Sequence, residues 1–378
     1  MFKKIYPFFL TAVISCIVTA MLTFVFTTAY NASFPESKKL RIIDGYLESI
    51  YYGDYDREYA MEQAYKGYVA SVGDPYTVYY TKEEFDEFNN YMENSYCGIG
   101  VSVTKDMEND VIVVVEVFDN APAKEAGIEP GDIIKKVEGV EYTGTQLDDA
   151  VAAMKGEEGT EVKITVIKSS TGKEQEIVTK RQNLTVDTVE AEIIDGNIGY
   201  IDISQFGNNT AEEFATKLDE LMSKNIKGLI VDVRNNPGGI TTSVEAVASC
   251  LLPKDKVIYY TSDKADNKSY IKTKMDGVDI PLVVLANQNS ASASEILVGA
   301  IKDHGRGTIV GTKTFGKGLV QTIVELDDGS ALKITIEKYY TPNGTYIHKT
   351  GIEPDYYVEL GKETDTQLEK AIEILKNQ

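Results

Sequence analysis

Asn287–Gln321 reads NQNSASASEILVGAIKDHGRGTIVGTKTFGKGLVQ and follows directly on the apolar run Leu282-Val283-Val284-Leu285. The apolar run predicts a buried strand, and the turn of small polar residues after it passes at once into a helix. Ser290, Ser292 and Ser294 alternate with Ala291 and Ala293 in that turn. A hydroxyl displayed at a strand-to-helix turn is a common form of acyl-transfer nucleophile. Downstream, Lys317 lies between Gly316 and Gly318, with Gln321 shortly after it. A lysine in a glycine-flanked, otherwise apolar segment can be desolvated enough to act as a base.

The same strand-loop-helix plan recurs upstream. Gly228–Val233 is an apolar strand that opens into Arg234-Asn235-Asn236-Pro237-Gly238-Gly239, with a helix from about Thr242 to Leu252. Before it stand a strand over Ile198–Ile203 and an amphipathic helix over Thr210–Lys224. Alternating strands and helices predict a mixed α/β fold whose sheet is largely parallel, with functional loops at the carboxyl ends of the strands. The glycine loop then lies beside the serine turn, where its N–H groups can hold an oxyanion. Ser294 is the expected helix cap, with Glu295 adding to it, and Phe315 and Val320 are expected to bury Lys317. His304 at a helix end and His348 in a polar stretch disfavour a histidine-based triad. Asp263–Lys274 reads as a surface hairpin or strap. A last helix begins at Thr366, with Glu369 at capping-box spacing.

Composition excludes several classes. A formal net charge of −21 over 378 residues disfavours nucleic acid or an anionic membrane surface as a partner of the soluble part. Three cysteines (Cys16, Cys97 and Cys250) and two histidines at no ligand spacing provide neither a disulfide framework nor a metal site, so no metal or other cofactor is expected. Cys97 and Cys250 read as buried small apolar residues.

The chain divides by pattern. Lys3 and Lys4 close a stub over residues 1–4, and residues 5–29 form an apolar run long enough to cross a bilayer. This is expected to be an uncleaved anchor with the bulk of the protein outside the cytoplasm. Cleavage near Ala29 and lipidation at Cys16 are the competing outcomes. After a linker over 30–36, residues 37–96 form a helical arm. Leu40, Ile43, Leu47 and Ile50 share one stripe, and Met61, Ala64, Tyr65, Tyr68 and Val72 share another. Asp56 is a plausible cap of the second helix. Two such helices cannot bury both faces alone, which points to a dimer arm.

Residues 97–181 read as a small β module. Gly98-Ile99-Gly100-Val101 opens a strand, Val111–Phe118 is a β-branched strand, and Leu147, Val151 and Met154 share a helical face. With the run PAKEAGIEPGDII over Pro122–Ile134, the module resembles a PDZ domain. The resemblance implies that a peptide carboxyl terminus adds as a strand, its carboxylate on the N–H groups around Gly98–Val101 and its apolar side chain near Leu147 and Val151.

Residues 182–378, after a linker-like Arg181-Gln182-Asn183, form the remaining domain. DVRNNPGG (232–239), SASASE (290–295), TFGKGLVQ (314–321) and KYYTPNGTYIHKTGIEPD (338–355) together resemble the carboxyl-terminal processing peptidases, the tail-specific serine proteases. That resemblance implies a crotonase/ClpP-like core with Ser292 as nucleophile, Lys317 as general base and Gln321 as its orienting partner. Gly238, Gly239 and Ala293 would supply the oxyanion hole. It also implies protein or peptide substrates with apolar carboxyl termini, PDZ gating, and a homodimer. A non-catalytic PDZ scaffold and a crotonase-like acyl-CoA enzyme are the alternatives.

Overall fold

The computed structural model describes residues 35–377. The expected anchor over residues 5–29 and the stub before it lie outside them. Among the described residues no helix is long and apolar enough to cross a membrane.

Two compact units divide at Pro75 and Tyr76. In the first, α1 (Pro35–Ile50) and α2 (Arg57–Ala70) are joined through the Asp44 carboxylate, which accepts from Tyr55 Oη at 2.7 Å and Arg57 Nε at 2.8 Å. Asp56 caps α2 by accepting the Tyr59 N–H. Ile43, Leu47, Ile50, Tyr65, Tyr68 and Val72 stay exposed.

The second unit begins with β1 (Val78–Tyr80) and α3 (Lys82–Met92), whose Thr81 and Glu84 form a capping box. β2 (Ser95–Gly98) leads to the small β module: β3 (Val101–Asp106), β4 (Val111–Val117), α4 (Pro122–Glu125), β5 (Ile133–Val137), β6 (Val140–Glu141), α5 (Leu147–Met154), β7 (Glu161–Ile167) and β8 (Glu174–Lys180). Its sheet runs β3-β4-β5-β7-β8 around a core of its own, including Ile99, Ile112, Ile134 and Ile164. Residues 182–185 are not a linker. They form β9 (Gln182–Thr185), which pairs antiparallel with β2, because the two ends of the module satisfy each other's backbone groups.

The remaining elements build two sheets. In chain order they are β10 (Val189–Ile194), β11 (Ile198–Ile203), α6 (Thr210–Ser223), β12 (Gly228–Asp232), α7 (Thr241–Leu251), β13 (Val257–Ser262), β14 (Lys268–Lys272) and β15 (Leu282–Ala286). Then follow α8 (Ala293–Asp303), β16 (Thr308–Gly311), β17 (Leu319–Glu325), β18 (Ala331–Tyr340), β19 (Tyr356–Tyr357) and α9 (Thr366–Lys376). The first sheet runs β10-β11-β12-β15-β16-β19 and is parallel from β11 onward, with β10 antiparallel at its edge. β12 and β15 are apolar throughout until Asp232 and buried on both faces, as parallel strands covered by helices must be. α6, α7 and α8 share one core on one face, and α9 joins another with Ile230, Val283 and Val310 on the other. α8 is buried from Ala293 to Ile301, whereas α9 buries only Gln367, Ala371 and Leu375. The cap of α9 is Asp365, which accepts the Leu368 N–H at 3.0 Å, and not Thr366, whose hydroxyl donates to Glu359 O. The second sheet joins β1, β18, β13 and β14, with β17 also on β18. Residues 263–274 form a hairpin there, as β14 returns along β13.

Candidate active site

Ser292 sits where β15 turns into α8, with φ +55° and ψ −113°. A serine rarely holds such a backbone unless its surroundings impose it, and strain of this kind gathers at functional turns. The flanking serines do the imposing. Ser290 is buried, and its hydroxyl donates to Val233 O at 2.7 Å and accepts the Asn287 N–H at 2.9 Å. Ser294 is also buried and donates to Asn236 O at 2.9 Å, so it ties two loops together and does not cap the helix. Ser292 alone of the three is half-buried and lines a cavity of about 420 Å³.

The glycine loop forms the adjoining wall. Fully buried Asn236 organises it: its amide donates to Ile203 O at 2.7 Å, its side-chain oxygen accepts the Gly238 N–H at 2.9 Å, and its carbonyl accepts the Ala291 N–H at 3.0 Å. Gly238 has φ +100°, and a Cβ there would fall 2.8 Å from Ser292 Cβ and 2.9 Å from the Ala293 nitrogen. Only glycine permits that approach. Among the described residues the N–H groups of Gly239 and Ala293 meet no acceptor, whereas that of Gly238 is taken by Asn236.

Lys317 and Gln321 line the same cavity. Their loop is fixed by a residue read in the sequence only as help for a helix cap. Glu295 is fully buried in α8. One of its oxygens accepts the Thr314 hydroxyl and the Gly316 N–H, each at 2.7 Å. The other accepts the Ser292 N–H at 3.0 Å and the Lys317 N–H at 2.8 Å. Burial pushes the Glu295 carboxyl above its ordinary range, and the four donors pull against that. Phe315 is 56% exposed, so it does not bury Lys317 as expected. The Lys317 ammonium lies instead 5.0 Å from the centre of the Tyr76 ring. Gln321 follows a bulge in β17, and its amide donates to Thr335 Oγ1 at 3.3 Å. Buried Tyr339 donates to Ser292 O at 3.1 Å, and burial, with Glu295 adding to it, raises its phenol well above the ordinary value.

Behind the glycine loop, a polar cavity of about 750 Å³ opens at the carboxyl ends of β11 and β12. Arg234 spans it, with Nη2 2.6 Å from Asp232 and 2.8 Å from Asp365. Asp202 shares this cavity, and its carboxyl is pushed up to about 6 by burial and then by Asp232. Among the described residues, no group of three or more histidine, cysteine or carboxylate side chains is arranged to hold a metal. Cys97 and Cys250 are free and half-buried, with both thiols pushed up by burial. His304 ends α8 with Nε2 2.7 Å from Val257 O.

In the β module, Gly98 ends β2, Ile99 is buried in the module's core, Gly100 has φ +81° and Val101 begins β3. Among the described residues the N–H groups of Ile99 and Gly100 meet no acceptor. Leu147 and Val151 are half-buried on α5, and Val151 faces a groove of about 720 Å³ shared with Tyr96 and Cys97.

A model of peptidase family S41 matches residues 197–358, and a PDZ domain model matches residues 89–167. The chain is 39% identical over 317 residues to carboxy-terminal processing protease CtpB of Bacillus subtilis (strain 168), covering 83% of this chain and 65% of that protein. It therefore spans just under two thirds of that relative's length. It is 35% identical over 366 residues to carboxy-terminal processing protease CtpA of the same organism, covering 95% of this chain and 78% of that protein. Among solved structures, the photosystem II D1 C-terminal processing protease superposes with a TM-score of 0.51 at 28% identity, covering 89% of this chain and 90% of that one. The span and level of identity to CtpA, joined to the S41 and PDZ matches, mean that the chain belongs to peptidase family S41, to its PDZ-bearing CtpA/CtpB type.

Proposed function

We propose that this chain is a serine endopeptidase that hydrolyses protein substrates near apolar carboxyl-terminal tails through an acyl-enzyme on Ser292. The observation that carries the reading is the Glu295 carboxylate, which accepts the N–H of both Ser292 and Lys317 and so holds nucleophile and base at one cavity. In this reading Lys317 removes the serine proton. It must be neutral to do so, well below the free lysine pKa of about 10.4. Gln321 leaves Thr335 to orient the amine. Ala293 and Gly239 offer unengaged N–H groups to the oxyanion, and Gly238 joins them once Asn236 releases it.

Gly98, Ile99, Gly100 and Val101 take the substrate carboxylate, and Leu147 and Val151 take its terminal side chain, so that capture at the PDZ module gates cleavage. The core is of the crotonase/ClpP-like kind, in keeping with its parallel strand-loop-helix units. The domain division is 37–96 for the helical arm, 97–181 for the PDZ module and 182–378 for the protease core. Residues 5–29 anchor the chain in a membrane, with residues 1–4 inside, 30–36 as linker and the catalytic part on the extracytoplasmic side. The exposed apolar faces of α1 and α2 support a homodimer.

Cleavage of β-casein and of a peptide with an apolar tail tests the reading. Ser292→Ala and Lys317→Ala are each expected to abolish it. Ser290→Ala and Ser294→Ala retain much of it, although each loses a buried hydrogen bond and about 1–3 kcal/mol of stability. Full activity in Ser292→Ala would overturn the assignment of the nucleophile, and no cleavage by the wild type would leave the non-catalytic scaffold as the better account.

A further inference from the structure

We propose that Tyr76 is a positioning residue for the Lys317 base, its ring face holding the ammonium form and thereby setting the pH at which the amine becomes available. This rests on the reading of Lys317 as general base. The Lys317 Nζ lies 5.0 Å from the Tyr76 ring centre, inside the range in which a cation is drawn to a π face.

Separate anchors bring the two together. Next to Tyr76, Thr77 Oγ1 accepts the Thr335 N–H at 3.1 Å, and Val78–Tyr80 pair with Ala331–Lys333 of β18. The Tyr76 ring meets His348 edge-on at 6.2 Å, and His348 meets Tyr346 at 5.9 Å. Tyr346 meets Tyr340 at 5.2 Å, and Tyr340 stacks on Tyr260 at 4.9 Å and 6°. The ring is thus the end of an aromatic file running across β13 and β18. On the other side, Lys317 is fixed by its own N–H to Glu295 at 2.8 Å. The glycines beside it lie against the backbone at Gly351 and His348, where a Cβ would come within 2.8 Å.

Burial favours the neutral amine, and a π face favours the ammonium. The ring therefore opposes the desolvation that makes Lys317 useful, and its removal frees the amine at lower pH while leaving it less well aimed. The other groups around the lysine are the Glu295 carboxylate, the Tyr339 phenol, His348, and Lys333, which lines the same cavity with its Nζ 2.7 Å from Tyr80 Oη. Glu337 and Lys338 of β18 stand opposite Val320 and Leu319, and Asp74 precedes Tyr76 by two residues in the chain. Of these, His348 and Tyr339 also feel residue 76, His348 through its ring contact and Tyr339 through the Tyr76 phenol. Both therefore feel Tyr76→Leu, and fluorinated rings, which keep the shape at position 76, isolate the effect of the π face on the lysine limb.

The test is the pH dependence of kcat/KM for a tailed peptide in the wild type, Tyr76→Phe, Tyr76→Leu and Lys317→Ala. Tyr76→Phe is expected to follow the wild-type profile. Tyr76→Leu should move the midpoint of the rising limb down by about half a unit to one unit, with a lower plateau. If Tyr76→Leu does not fold, phenylalanine carrying one to three ring fluorines at position 76 keeps the shape while weakening the π face, and the midpoint should fall stepwise with fluorine number. A midpoint that stays in place or rises in Tyr76→Leu or across the fluorinated series overturns the proposal, as does Tyr76→Phe shifting as far as Tyr76→Leu. A Lys317→Ala enzyme that keeps the wild-type limb overturns instead the reading of Lys317 as base.

Discussion

Glu295 stands in the first turn of α8, where the sequence offers it only as an acid helping a cap at Ser294. Its contacts with Thr314, Gly316 and Lys317 make it the tie between two loops. All its partners donate, and the Thr314 hydroxyl already accepts the Ile352 N–H at 2.7 Å. Glu295→Gln keeps the volume but sets an N–H₂ group against at least one backbone N–H. Loss of a charged acceptor of this kind is worth about 1.5–3 kcal/mol, so kcat is expected to fall roughly ten- to a hundredfold. Steady-state kinetics with thermal melts as a control check this, and activity within about twofold of wild type would refute it. In the sequence the turn leaves Ser290, Ser292 and Ser294 all open as hydroxyls and Lys317 stands out between its glycines, and it is the family resemblance that singles out Ser292. The roles of Glu295, Asn236 and Tyr76 were not legible there, since each acts on residues distant in the chain and carries no local pattern. The bulge before Gln321, likewise, is invisible to residue spacing.

Strand ends carry the next level. Asp202 and Asp232 are register partners on neighbouring parallel strands, and Arg234 joins Asp232 to the cap of α9. The second carboxylate of this pair is the costly one. Burial, with Asp232 adding to it, pushes the Asp202 carboxyl up to about 6 from its ordinary 3.8. The folded state therefore binds more protons between those values, and stability falls as pH rises through that window. A two-unit shift corresponds to about 3 kcal/mol, and partial exposure reduces this to roughly 1–2 kcal/mol. Asp202→Asn should be more stable than wild type by that amount at pH 7.5, with the gain fading as pH approaches 4. Urea unfolding at both pH values measures it, and an equal gain at both would exclude the charge as cause. At this scale the sequence was most readable where burial is uniform. β12, β15 and α8 are apolar because they lie inside, and their ends were placed within a residue or two. β1, β9, β10 and β16–β19 were missed because they are short or half-exposed, and β13, though buried, was missed with them because pairing with distant strands decides it.

For the whole molecule, the PDZ module has its own core and is joined to the protease core through the paired strands β2 and β9. Gly98 and Gln182 are partners in that ladder, so a short Gly-Ser turn can replace everything between them. The shortened protein is expected to fold and still cleave unfolded casein. It should lose any preference for a free over an amidated carboxyl terminus, which competition between two such peptides measures. Retained discrimination would move tail recognition into the core.

The pairing of β1 with β18 sets a clock on the enzyme. Val78–Tyr80 take their strand partners at Ala331–Lys333, across most of the chain. A polypeptide made from its amino end therefore holds these residues unpaired, beside Tyr76, until the last strands of the second sheet have been added. Lys317 and β17 are also late arrivals, and the PDZ module, whose contacts are local, can fold long before them. On the proposed reading the binding module thus matures first and the cutting site last, so a nascent chain is kept from digesting itself or its neighbours while it is still being made.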